Sequence, residues 1–198
     1  MIVRPLELGR CATVGGLLAR AFEGDPVYSY LLPNAEKRRA QLAWLFERWT
    51  RVVAPLGAGY ITDGGEGVAI WLPPDHGPNV SLWRLLRGGL ATAPFRLGLR
   101  QLPRAWRVYA DLARRHRAEL REPHWILDVL AVDPLHQGRG VGTALMQHGI
   151  QQANQDHTPC YVITHNPANV VYYERFGFRV LHAAEGGPFA WSLRRPAP

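Results

Sequence analysis

Lysine is almost missing from this chain: Lys37 is the only one among 23 basic residues, which stand against 16 acidic ones. The net charge of +7 is therefore an arginine charge, carried by planar forks that suit carboxylates and phosphates. Cysteine is nearly as scarce. Cys11 and Cys160 lie too far apart for a disulfide framework or a cysteine-based zinc site, so a reduced, cytoplasmic protein is the expectation. His124, His136, His157 and His165 lack metal-ligand spacing such as HExxH, and no metal is expected. No run of about 18 apolar residues occurs, which excludes a spanning helix. The opening MIVRPLELGR places Arg4, Glu7 and Arg10 where a secretory signal would need an apolar stretch. No membrane partner is expected.

What is present is enough for one sizeable core: 198 residues, 47% of them hydrophobic, read as a single domain over 1–198. Ile2–Arg4 reads as a first strand, and Gly9–Phe22 and Ala35–Val53 carry apolar residues at helical spacing. GAGYITD and GVAIWLPP form a hairpin about the Gly64-Gly65 turn. A helical, arginine-rich insertion follows at about 79–121, with ten arginines between Arg84 and Arg121 against only Asp111 and Glu119. Such a surface is either a solvated helix face or a site for a polyanion such as nucleic acid, acidic lipid or a phosphorylated cofactor. HWILDVLAV reads as a central strand broken by Asp128, Thr143–Gln155 as a helix, CYVITH as a second buried strand, and Asn169–Phe176 as a short helix stopped by Gly177. FRVLH and PFAWSLRR close the chain as strands. The order predicts an α/β (α+β) fold.

The densest signal is HQGRGVG, where Gly138, Gly140 and Gly142 lie between the central strand and a helix. Glycines there permit positive φ and close backbone approach, and a helix N-terminus turns its free N–H groups toward one point. The turn is built for an anion. A P-loop would need Lys and then Ser or Thr after Gly142, where Thr143 and Ala144 stand instead. A dinucleotide fingerprint from Gly138 would need Gly or Ala at 143 and an acid after the next strand, which ends in His165 and Asn166.

HQGRGVGTALM resembles the pyrophosphate loop of the GCN5-related N-acetyltransferases (GNAT), with Gln137, Gly140 and Gly142 on its pattern. LAVDP before it resembles that family's fourth strand, and NPANVVYYERFGF resembles its terminal signature. ARAFEGDPVYSYLLPN and AIWLPP add a likeness to the subgroup around puromycin N-acetyltransferase, although CYVITH lacks the acidic residue that many relatives carry there. The resemblance implies a mixed, mostly antiparallel central sheet of about six to seven strands with helices on both faces. It implies direct acetyl transfer from acetyl-CoA to a primary amine of a small molecule or peptide.

On that resemblance the backbone of Leu130, Ala131 and Val132 pairs with pantetheine, and Gln137, Gly138, Arg139, Gly140, Val141, Gly142 and Thr143 hold the pyrophosphate, with the Arg139 side chain either neutralising phosphate or standing as an exposed loop arginine. The Leu130 N–H polarises the thioester carbonyl. Asn169, and less surely Asn166, either bonds the coenzyme or caps a helix. Tyr173 falls on the tyrosine that protonates the departing thiolate, with Tyr172 as its rival. Asp128, placed by alternation on the face of Leu130, is either the general base or a structural carboxylate paired with an arginine. Tyr28, Tyr30, Trp71 and Trp83 are candidates for an aromatic acceptor pocket, with core packing as the alternative. A noncatalytic acyl-CoA-binding or sensory module would keep the glycine loop without needing Asp128 and Tyr173. A nucleic-acid-binding protein would use the basic insertion, but no finger, helix-turn-helix or RNA-recognition signature accompanies it, so no specific nucleic acid is expected. The acceptor's identity, the acyl length and the choice between monomer and homodimer stay open.

Overall fold

The computed structural model describes residues 1–56, 59–74, 81–183 and 191–198. One seven-stranded sheet organises them in the order β1-β2-β3-β4-β5-β7-β6. Its strands are β1 (Val3–Pro5), β2 (Gly59–Thr62), β3 (Gly67–Leu72), β4 (Trp125–Val132), β5 (Cys160–Thr164), β6 (Arg179–His182) and β7 (Trp191–Arg195). The sheet is mixed and mostly antiparallel, as expected. Only β4 and β5 run parallel, and they pair only from Trp125–Cys160 to Leu127–Val162.

Helices cover both faces, and local chemistry starts each one. α1 (Cys11–Phe22) and α3 (Ala35–Val53) pack on one face through Leu17, Leu18, Leu42 and Phe46, all nearly fully buried. Asn34 opens α3 by accepting the Lys37 N–H at 3.1 Å, and Asp25 opens α2 (Pro26–Leu31) by accepting that of Val27 at 2.9 Å. Pro26 at the start of α2 uses a position where no donor is needed. α4 (Leu82–Arg87), α5 (Ala93–Leu97) and α6 (Leu102–Glu119) fill the arginine-rich segment, and the prolines at 94 and 103 begin α5 and α6 rather than interrupt one helix.

α7 (Val141–Gln155) covers the opposite face, with α8 (Pro167–Glu174) beside it. Both begin two residues earlier than their apolar spacing predicts. Gly140 in the left-handed region starts α7 at Val141, while Asn166 caps α8 by accepting the Ala168 N–H at 3.0 Å. Trp71 is fully buried between the sheet and α7, where a Cβ on Gly149 would come within 2.2 Å of its indole. Trp71 therefore belongs to the core and not to an acceptor pocket. The proposed strand PFAWSLRR is described only from Trp191 onward.

Candidate active site

The site begins with an irregularity in β4. Ile70 of β3 faces Val129 while Trp71 faces Leu127, so Asp128 is an extra residue against the partner strand, a β-bulge. The bulge reverses the alternation beyond it. Ile126, Val129 and Ala131 join the α1/α3 face, whereas Leu127, Leu130 and Val132 face α7. Asp128 therefore does not share the face of Leu130, as unbroken alternation predicts. Its side chain turns to the α3 side, where Trp49 Nε1 donates to its Oδ2 at 2.5 Å. Its partner is an indole and not an arginine.

The same strand then leaves an open edge. The N–H of Asp133 bonds the Glu66 carbonyl at 2.7 Å, which fixes the antiparallel pattern with β3: Ala131 and Val129 also point their polar groups at β3, and Leu130 and Val132 point theirs away. β5 has parted from β4 by that point, so those groups line a gap. Of the three backbone positions expected there, Leu130 and Val132 present N–H and C=O, and Ala131 spends its own on the sheet. Gln137 is near enough that its side-chain amide donates to the Val132 carbonyl at 3.3 Å.

Next to that edge lies the glycine turn. Gly138 (φ 74°) and Gly140 (φ 81°) occupy the left-handed region that L side chains avoid, and they aim the first N–H groups of α7 outward. A cavity of about 480 Å³ opens there, with Gln137, Gly142, Thr143, Asn169 and Tyr173 among its walls. Arg139 is exposed at the loop tip and does not line it; the cationic wall is Arg175, just past α8. A second cavity, of about 350 Å³, continues along the same edge beneath the α1–α2 turn, walled by Phe22, Asp25 and Asn166. Asn166 serves as a cap, whereas Asn169 donates its amide to Thr164 Oγ1 at 3.0 Å and reaches both cavities. Asp133 secures the loop by accepting Arg20 Nη2 at 2.6 Å and the Leu135 N–H at 3.0 Å, and these donors, Arg20 first, hold its carboxyl below the usual range.

A third cavity, of about 290 Å³, lies on the α3 side, around Asp128. Tyr28, Trp49, Tyr109 and Tyr161 supply aromatic walls, and Asp128 is the only carboxylate among the lining residues. Tyr28 also packs at a tilt against Phe22 of the neighbouring cavity, with ring centroids 5.5 Å apart. Asp128 stays open to solvent from the cavity, yet the surrounding protein pushes its pKa up to about 6, against the lowering effect of the Trp49 hydrogen bond. Tyr173 is buried, and that burial, with Tyr172 beside it, raises its phenol far above the ordinary value, so it stays protonated.

Of the aromatic candidates, only Tyr28 reaches this cavity. Trp83 lines a separate hollow near Pro55, and Tyr30 sits under Arg104. His165 also borders the Asp128 cavity, with its Nε2 buried and unpartnered, contrary to the expectation of a satisfied or exposed ring. Sequence reasoning missed Trp49 and Arg175. Trp49 stands at helical spacing in an apolar face, which reads as core, and Arg175 lies outside the glycine motif.

Residues 107–180 match the model of the acetyltransferase (GNAT) domain. Solved structures share the fold of this chain over 98–99% of its length. It is 24% identical to a protein from Corynebacterium glutamicum named histone acetyltransferase HPA2 and related acetyltransferase, with a TM-score of 0.68 over 99% of this chain and 96% of that one. The C-terminal condensation domain of Ebony, solved with beta-alanyl-dopamine, aligns at 0.64 with 11% identity, covering 98% and 97%. The polyamine N-acetyltransferase of Drosophila melanogaster aligns at 0.51 with 18% identity, covering 98% and 96%.

Proposed function

We propose that this chain is an N-acetyltransferase that uses acetyl-CoA and a primary amine of a small molecule or peptide. The observation that carries the reading is the open edge of β4: the N–H and C=O of Leu130 and the N–H of Val132 face the gap, with the Val132 C=O held by Gln137, and they lead directly to the left-handed glycines and helix N–H groups of the HQGRGVG turn. That arrangement fits an amide-bearing arm ending in a pyrophosphate. When bound, acetyl-CoA supplies an acetyl thioester. Leu130 and Val132 would bind the arm, residues 137–143 the phosphates, and Asn169 the chain between them, with Arg175 in place of Arg139 as the neutralising cation.

The chemistry joins the amine nitrogen to the acetyl carbon, breaks the bond from that carbon to sulfur, and moves one proton from nitrogen to sulfur overall. Asp128 attracts the incoming ammonium, which gives up one proton to water before it can attack; as the neutral amine forms the new C–N bond its next proton becomes acidic and passes to Asp128, a carboxylate that with a pKa of about 6 is ionised at neutral pH and suited to this. The Leu130 N–H faces the gap and would polarise the carbonyl. Tyr173 donates a hydrogen bond to sulfur. Its raised pKa makes complete proton transfer to a free thiolate more uphill than for an ordinary phenol. The single carboxylate and aromatic walls of the Asp128 cavity favour an acceptor with one ammonium on an apolar body over a polycation.

The test is calorimetric titration with acetyl-CoA, followed by thiol release on adding single-ammonium arylalkylamines, polyamines or short peptides. Saturable binding and amine-dependent thiol release are expected. A folded protein that does not bind acetyl-CoA refutes the assignment. Binding without thiol release for any amine would favour a sensory module.

A further inference from the structure

Helices α4 to α6 lie against α3 and α2 by their inner side. Gly88 abuts Val52, Gln41 donates to the Arg96 carbonyl at 3.2 Å, and Arg104 donates to the Tyr30 carbonyl at 3.2 Å. Away from those contacts the segment exposes large apolar side chains, with Trp83 at the hollow near Pro55 and Trp106 beside Tyr109 at the rim of the Asp128 cavity. Phe95 is 89% exposed, Leu82 and Leu99 71%, Trp106 68% and Trp83 66%. One bare leucine on a surface needs no account, but five large apolar side chains on one short segment form a feature that calls for a partner.

Arginines alternate with these residues. Arg84, Arg87, Arg96, Arg100 and Arg107 make no ion pair among the described residues, and both acids of the segment are engaged: Asp111 holds Arg114 and Arg115, and Glu119 accepts from Tyr161. A partner must therefore be anionic and must also offer an apolar phase. A second copy joined two-fold through this face would set the same arginines against one another. A nucleic acid would satisfy the guanidinium groups and leave Phe95, Leu82 and Leu99 in water. A bilayer surface rich in anionic headgroups meets both demands, with phosphates at the depth of the arginines and acyl chains beneath for the aromatic and leucine side chains.

We propose that the outer face of α4–α6 docks this protein on an anionic lipid bilayer. No helix among the described residues is long and apolar enough to cross a membrane, and peripheral attachment needs none. The proposal does not depend on the acyltransferase reading.

Co-sedimentation with vesicles of phosphatidylcholine alone, and of phosphatidylcholine mixed with phosphatidylglycerol, tests it on the full chain. Binding to the mixed vesicles only, weakened by added salt, is expected. Arg96→Gln, Arg100→Gln and Arg107→Gln together should weaken it by about a hundredfold. Phe95→Ser with Trp106→Ser should weaken it by about tenfold or more at unchanged charge. These side chains are exposed, so circular dichroism and the melting temperature should match those of the parent. Equal binding to both vesicle types, no binding to either, or indifference to both sets of substitutions would overturn the proposal. So would binding to duplex DNA without vesicle binding, or a concentration-dependent dimer abolished by the Phe95 and Trp106 changes in a protein that ignores vesicles. Should a variant misfold, the parent's lipid and salt dependence still decides.

Discussion

Trp49 Nε1 and Asp128 Oδ2 stand 2.5 Å apart, a hydrogen bond between the C-terminal part of α3 and the bulge of β4. It opposes the raised pKa of Asp128, because a donor favours the charged carboxylate.

Trp49→Phe keeps an aromatic wall and removes the donor. If Asp128 must be ionised to accept the amine's proton, kcat/KM should fall as pH drops through about 6 in the parent. In the variant the same limb should move to higher pH, with near-parental rates well above it. An unmoved limb would separate Asp128 from the rate profile.

The elevated Asp128 pKa also bears on stability. Between roughly pH 4, where the unfolded chain loses this proton, and about pH 6, where the folded chain does, folding retains a proton that unfolding releases. Stability from this group therefore falls as pH rises through that window. Asp128→Asn, which can still accept from Trp49, should melt higher than the parent above pH 6, with the gap shrinking toward zero near pH 4. A variant that melts lower at pH 8 would mean that the carboxylate is structural.

The Arg20–Asp133 pair has the opposite sign. Its depressed carboxyl contributes stability above the ordinary carboxylate range and loses it as pH falls through the lower folded value. Arg20 is 46% exposed, so Arg20→Met should cost no more than about 1 kcal/mol near neutral pH. Its larger effect should be on the loop that Asp133 secures. Titration should show weaker acetyl-CoA binding for Arg20→Met, and unchanged affinity would make the pair irrelevant to the site.

The order of elements was legible because apolar spacing and the Pro and Gly punctuation agree from Val3 to Arg195. The glycine turn was legible for the same reason: a left-handed backbone at 138 and 140 leaves a mark in the residue type. The bulge left none. An Asp in an apolar strand reads as alternation until the partner strand shows two residues opposite one, and that error moved Asp128 to the wrong face. Trp49 and Asp128 meet across 79 positions of chain, which no local pattern records. Arg139 drew attention by lying inside the motif, yet the turn that frees the backbone carries its side chain outward, and Arg175 arrives from a different helix.

Gly140 gives the sharpest test of the loop. Its φ of 81° costs a non-glycine residue about 1–2 kcal/mol, and a β-branched one the most. A Cβ there would meet no protein atom within 4 Å, so strain is the whole folding penalty and the added atoms project into open space over the turn. Gly140→Asn should fold with little loss, since asparagine tolerates the left-handed region, whereas Gly140→Val should fold with a lower melting temperature. If the coenzyme's pyrophosphate rests on the backbone at this point, both variants lose affinity for acetyl-CoA, because both place a side chain where it must lie. If the glycine serves the turn alone, Gly140→Asn binds as the parent does and only Gly140→Val fails. Calorimetric titration of the two folded variants distinguishes these cases, and parental affinity in Gly140→Asn would remove the pyrophosphate from this loop.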